Sequence, residues 1–256
     1  MIMRFFLAAL AAGLLVGVVM TPIQYLGVVP LIVHAESYED GAGGHDHAHT
    51  TGLIAPAQAQ ERGAASGLSG GKIILAHSVA ASGGEDEAGA ALFESRLAGT
   101  LAANVVTGAG FALMLGAASL LVRRSITASN GALWGLAGFA VVALAPALGL
   151  PPELPAMPAA DLFQRQIWWA ATVLLAAGAL YLLVFRREVA ARVTAVAMLA
   201  VPHLIGAPHP ADLSSPVPPT LAAEFAVASL ATAAVFWVLL GLGVGTALDR
   251  SGARAA

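Results

Sequence analysis

LAGTLAANVVTGAGFALMLGAASLLVRR, residues 97–124, decides the fold class. No charged side chain interrupts it before Arg123 and Arg124, and roughly 20 apolar residues are enough for a helix to cross a bilayer. Gly, Ala, Ser and Thr are frequent within it, as close packing between membrane helices requires. Similar runs follow at 132–150, 167–185, 189–205 and 220–248, and an earlier one spans 5–33, interrupted by Pro22, Gln24 and Pro30. The pattern predicts an all-α, polytopic membrane protein with about six transmembrane helices. Its organisation would be a first helix over 1–33, a low-complexity extracytoplasmic loop over 34–96 and a five-helix bundle over 97–256. Val33, His34 and Ala35 resemble a small-residue cleavage site, but the run outlasts a secretory signal core of about 7–15 residues and reads as a span.

Composition agrees. Of 256 residues, 58% are hydrophobic and 11% charged, where soluble domains carry about a quarter charged. A net charge of −3 without a basic stripe argues against nucleic acid. Cysteine is absent, which excludes disulfides, thiolate metal sites and cysteine nucleophiles. Gly70, Gly71 and Lys72 lack the spacing of a phosphate loop, so no nucleotide motor is encoded, and the missing HExxH weighs against a metalloenzyme. Gly241, Gly243 and Gly245 read as packing contacts, because a nucleotide fingerprint needs a strand before it and a helix after it.

Charge is segregated along the chain. Six spans would put Arg4, Arg123, Arg124, Arg186, Arg187, Arg192, Arg250 and Arg254 on one side, against Arg62, Lys72, Arg96 and Arg165 on the other. By the positive-inside rule both termini are cytoplasmic. Among the acids only Glu188 and Asp249 fall inside, and all seven histidines lie outside or at outer helix ends. The loop holds a short tract, Gly43, Gly44, His45, Asp46, His47, Ala48, His49, of metal-binding composition, although a solvated linker could carry the same residues.

VPHLIGAPHP, residues 201–210, ends the fifth apolar run. Proline removes a backbone donor and glycine accepts unusual dihedrals, so a helix breaks up here. His203 and His209 would stand at that broken end. Either they ligate a metal or they rest at the water interface and bond freed carbonyls. An acidic, imidazole-rich mouth attracts divalent cations by its field and then offers ligands. His34, Glu36 and Glu224 are therefore added to His203 and His209 as the expected outer site, with His45, His47 and His49 collecting metal ahead of it. Gln24, Asn104, Thr107, Thr172 and Thr232 are the polar groups within the spans, each also explicable as helix packing. Trp168 and Trp169, beside Arg165 and Gln166, look like an aromatic belt at a membrane interface.

Several stretches carry a family likeness: PALGLPPELP (146–155), RQIWW (165–169), PHLIGAP (202–208), VVPLIVHAESYE (28–39) and WGLAGFA (134–140). In this order they resemble the CbtA-type cobalt transporter subunit. The resemblance implies a multi-pass protein of the bacterial inner membrane that takes up Co2+ for corrinoid synthesis beside a small single-span, histidine-bearing CbtB-type subunit. It differs from the family pattern at Ala156, where glycine follows the LPELP-like run. Residues 41–71 have no counterpart in that pattern, which makes the histidine tract a local addition. No tightly bound cofactor is expected. Ni2+ and Zn2+ compete with Co2+ for such ligands, since imidazole and carboxylate do not choose cobalt on affinity. Rival readings are a metal-sensing or accessory subunit that transports nothing, a membrane metalloenzyme, and an organic-anion permease using Arg165 and the tryptophan pair.

Overall fold

The computed structural model describes residues 2–40 and 85–252, and every regular element among them is helical. Helix α1 covers Ile2–Gly27 and α2 covers Val29–Asp40. The two are nearly continuous. Val28 donates its N–H to the Gln24 carbonyl at 2.9 Å, and its own carbonyl accepts from Leu31 and Ile32 at 3.1 and 3.2 Å. Pro30 falls in the first turn of α2, where a missing N–H costs little.

Helix α3 is Glu85–Val122, with its apolar part at Ser95–Val122. Helix α4 is Gly131–Ala147, π-helical over Phe139–Leu144. Helix α5 is Leu162–Phe185, started by Asp161, whose carboxylate accepts the Gln164 N–H at 3.0 Å. Helix α6 is Val189–Ile205 and α7 is Pro219–Ser251.

Two boundaries differ from the sequence expectation. The loop placed at 34–96 loses both its ends to helix, because α2 runs on to Asp40 and α3 begins at Glu85. Glutamate and alanine favour helix even where hydropathy falls, and Arg96 joins the two extensions by donating to both Glu36 oxygens, at 2.9 and 3.0 Å. Four helices, α1, α3, α5 and α7, are long and apolar enough to cross a membrane, whereas α4 and α6 are shorter. At 17 residues, α6 is about 25 Å long, somewhat less than a hydrocarbon core of about 30 Å.

Neighbouring helices of a four-helix slab run antiparallel, in the packing order α3, α1, α7, α4, so that α3 and α7 are parallel to each other. The α5–α6 hairpin joins this slab through the second half of α4. Small residues let the backbones of the slab meet. A Cβ on Gly13 would strike the Gly108 carbonyl, and one on Gly241 would strike the Gly131 carbonyl. Phe5, Met20, Leu115, Trp237, Leu240 and Val244 fill the space around these contacts. Gly241 and Gly245 face α4 and the turn before it, while Gly243 meets Val16 of α1, so this glycine series is a packing device. A second apolar cluster, Val28, Ile32, Leu154, Val217, Leu221 and Phe225, closes the end where α1 passes into α2.

Candidate functional site at the histidine-bearing end

Antiparallel packing gathers the end of α2, the start of α3, the loops after α4 and α6, and the starts of α5 and α7 at one end of the molecule. His34, His203 and His209 all lie there. Arg123, Arg124, Arg186, Arg187 and Arg250 lie at the other end.

His203 belongs to the last turn of α6, beside Pro202. The helix stops at Gly206, whose φ of +87° and ψ of 148° fall in a region reserved for glycine. The Pro202 carbonyl is doubly used. It accepts the Gly206 N–H at 3.1 Å and the Trp168 Nε1–H at 3.2 Å. The His203 ring meets Trp168 edge-on, with centroids 5.9 Å apart. A Cβ on Gly149 would run into the Trp168 indole and come within 3.1 Å of Ala207. Trp168 thus ties the loop after α4 to the end of α6. The two tryptophans divide in role: Trp168 is 8% exposed and internal, while Trp169 is 41% exposed and is the one suited to a membrane interface. His203 itself is exposed, and so is His209 in the segment that follows.

The acids of this end are mostly engaged. Arg96 clamps Glu36. Glu39 accepts the Ala156 N–H at 3.0 Å, and Glu153 pairs with Arg165 at 2.9 Å. Burial pushes the Glu153 carboxyl above the usual range, and the neighbouring guanidinium only partly opposes that shift. Asp212 accepts from the Ser214 N–H at 2.9 Å and its hydroxyl at 2.8 Å, which hold its carboxyl below the usual range. Ala156, where the family pattern has glycine, sits at φ +64°, the left-handed region that glycine enters without strain.

The expected ligands share an end of the bundle without forming one cluster. Among the described residues no three His, Asp or Glu side chains come together as a metal site. His34 is exposed on α2, its ring 5.7 Å from Tyr38. A metal using Glu36 would have to displace Arg96. Glu224 is exposed near the start of α7, beside α2, whereas His203 rides on the α5–α6 hairpin. His45, His47 and His49 lie outside the described residues. Arg165, proposed as an anion anchor, is paired with Glu153.

Within the spans, Asn104 Nδ2 donates to Thr21 Oγ1 at 3.2 Å, and Thr21 donates to the Gly17 carbonyl at 3.2 Å. Thr172 bonds back to the Trp168 carbonyl at 2.8 Å. Among the described residues, the Gln24 Oε1 is buried without a hydrogen-bond partner. Sequence reasoning did not anticipate the Arg96 clasp or the Trp168–Pro202 bond. A basic residue at a helix entry facing an acid at the preceding exit was a readable hint of the first; the second depends on how α5 and α6 pack.

Four helices long and apolar enough to cross a membrane, packed through small residues, define the chain's class as a membrane protein. The chain belongs to the family described as "Probable cobalt transporter subunit (CbtA)", whose sequence pattern it matches over residues 2–249. That family is one of transporter subunits, which implies a membrane setting and at least one further subunit. The chain matches no curated protein and no solved structure.

Proposed function

We propose that the chain is a permease subunit for uptake of a divalent transition metal, Co2+ by the family's description, with Ni2+ and Zn2+ as competitors. It lies in the inner membrane of a bacterium and supplies cobalt for corrinoid synthesis. α4 and α6 complete six spans by tilting little and drawing on flanking polar residues. Both termini face the cytoplasm, and the histidine-bearing end faces outward. The observation that carries this reading is the placement of His34, His203 and His209 at one end of the bundle and of the arginine pairs at the other. His203 and His209 then form the outer capture point, and the His45, His47 and His49 tract collects metal ahead of it. Passage inward draws on the polar groups of the spans, Gln24, Asn104, Thr107, Thr172 and Thr232. A small single-span, histidine-bearing subunit of the CbtB type works beside the chain.

The absence of a three-ligand cluster among the described residues favours one alternative, an accessory subunit that binds metal and passes it on. Uptake of radiolabelled cobalt by cells lacking other cobalt importers separates the two. The chain would be expressed with and without the single-span subunit, as wild type and as His203→Ala/His209→Ala at equal membrane levels. The permease reading expects import by wild type and at least a tenfold loss in the double variant. Equal import by both would reduce the histidines to helix-end structure, and no import with the subunit present would leave the accessory role.

A further inference from the structure

Helix α4 is held at its two ends by different parts of the molecule. Its first half is fixed to α7. A Cβ on Gly131 would strike the Gly241 carbonyl, one on Gly135 the Trp237 carbonyl and one on Gly138 the Trp237 indole. Just past its last turn the chain is fixed to the hairpin, where Gly149 lies too close to the Trp168 indole for a Cβ. Between these anchors stands the π-helical stretch Phe139–Leu144, with α7 on one side and α5 on the other, and none of its residues is buried.

A π turn carries one residue more than an α turn, and helices bend at such places. Ala145 closes the stretch by donating its N–H to the Ala140 carbonyl. Pro146 comes next and has no N–H, so the carbonyl one turn ahead of it lacks a helical donor. The hydrogen-bond ladder of α4 is therefore interrupted where the wide turn ends. The hairpin meets the slab mainly through this half of α4. At the arginine-bearing end a further link is the Arg124 guanidinium, 5.7 Å over the Phe185 ring, and a long side chain of that kind follows a moving neighbour.

We propose that Phe139–Leu144 is a hinge about which the α5–α6 hairpin rocks as a unit against the slab, carrying His203 with it. The wide turn absorbs the change of angle, and the glycine contacts on either side stay intact. The inference holds for a permease and for an accessory subunit alike, because neither the metal nor its passage enters it.

The chain has no cysteine, so pairs of spin labels on introduced cysteines report on the full chain in lipid nanodiscs without background. One pair, at Val106 of α3 and Val193 of α6, spans slab and hairpin. A second, at Leu15 of α1 and Val227 of α7, lies within the slab, and a third, at Leu174 of α5 and Val193, within the hairpin. All these positions are exposed. Double electron–electron resonance should give a slab-to-hairpin distance distribution about twice as wide as that of either internal pair, or one split in two. Deleting Val141 removes the extra residue of the wide turn, and Pro146→Ala restores the missing N–H. Either change should narrow the slab-to-hairpin distribution to the width of the internal pairs. A wild-type slab-to-hairpin distribution as narrow as the internal ones, which needs no hinge variant, would overturn the proposal. So would a broad distribution that persists in Pro146→Ala and in the deletion, since the motion would then arise elsewhere. A pair within the hairpin as broad as the pair that spans it would also overturn it, because the hairpin would not be moving as a unit. Cobalt uptake enters none of these readouts, so failure here leaves the transport reading to its own experiment.

Discussion

The slab of α3, α1, α7 and α4 and the hairpin of α5 and α6 are made of similar residues but held in different ways. In the slab, glycines meet backbone: Gly13 with Gly108, Gly17 with the Asn104 carbonyl, Gly131 with Gly241. In the hairpin, Gly178 faces the methyl end of Met198, and a side-chain hydrogen bond from Trp168 to the Pro202 carbonyl joins its helices. Backbone contacts cannot yield, whereas a methionine side chain turns aside. The slab is therefore the rigid scaffold, and His203 rides on the more compliant part. Under the proposed permease role this division is useful, since a capture site at His203 would belong on the element held by fewer fixed contacts.

The comparison breaks most directly at its glycines. Gly241→Ala is expected to cost about 3 kcal/mol, because neither the Gly131 carbonyl nor the Gly135 backbone can retreat from a new Cβ. Gly178→Ala should stay within about 1 kcal/mol of wild type, with rotation of Met198 offset by better helix propensity. Unfolding in mixed micelles by titration with dodecyl sulfate measures both. Equal losses would remove the distinction between scaffold and hairpin.

A smaller effect, of opposite sign, is expected at Ala156. Its left-handed backbone strains any residue with a Cβ, so Ala156→Gly should stabilise by about 1 kcal/mol. A rise of a few degrees in the thermal midpoint would show it. A fall would mean that the bond from the Ala156 N–H to Glu39 depends on the alanine.

The smallest effect concerns pH and the Glu153–Arg165 pair. The folded carboxyl titrates above its unfolded counterpart because burial penalises its charge. The fold therefore binds the proton more tightly, and this contribution is full below the unfolded value and lost as pH rises through the folded one. Relative to Glu153→Gln, wild-type stability should decline across that interval. Arg165→Gln removes the opposing charge and should widen the interval upward, which paired unfolding curves at several pH values would reveal. A wild-type advantage that grows with pH would reverse the assignment of burial as the dominant cause.

Much of this was legible before any coordinates. Hydropathy found every long helix because each must exclude charge over the thickness of a membrane, and proline and glycine marked the end of α6 because they alter the backbone directly. The family likeness rested on loop motifs such as PHLIGAP, and the glycine absent at 156 proved to be a position of positive φ. The helical extensions to Asp40 and back to Glu85 were harder to read, since hydropathy loses its contrast outside the membrane. The site was less legible than the fold. Composition could place histidines and acids at one end, but not say that Glu36 is clamped by Arg96 or that Trp168 turns inward to Pro202.

The sequence by itself determined the class of protein, the helix positions and the gathering of the histidines at helix ends, because these follow from how single residues partition between water and lipid. Only the tertiary structure decided which acids are already paired and which glycines carry backbone contacts. Those outcomes depend on which helices become neighbours, and that is settled by packing between residues far apart in the chain.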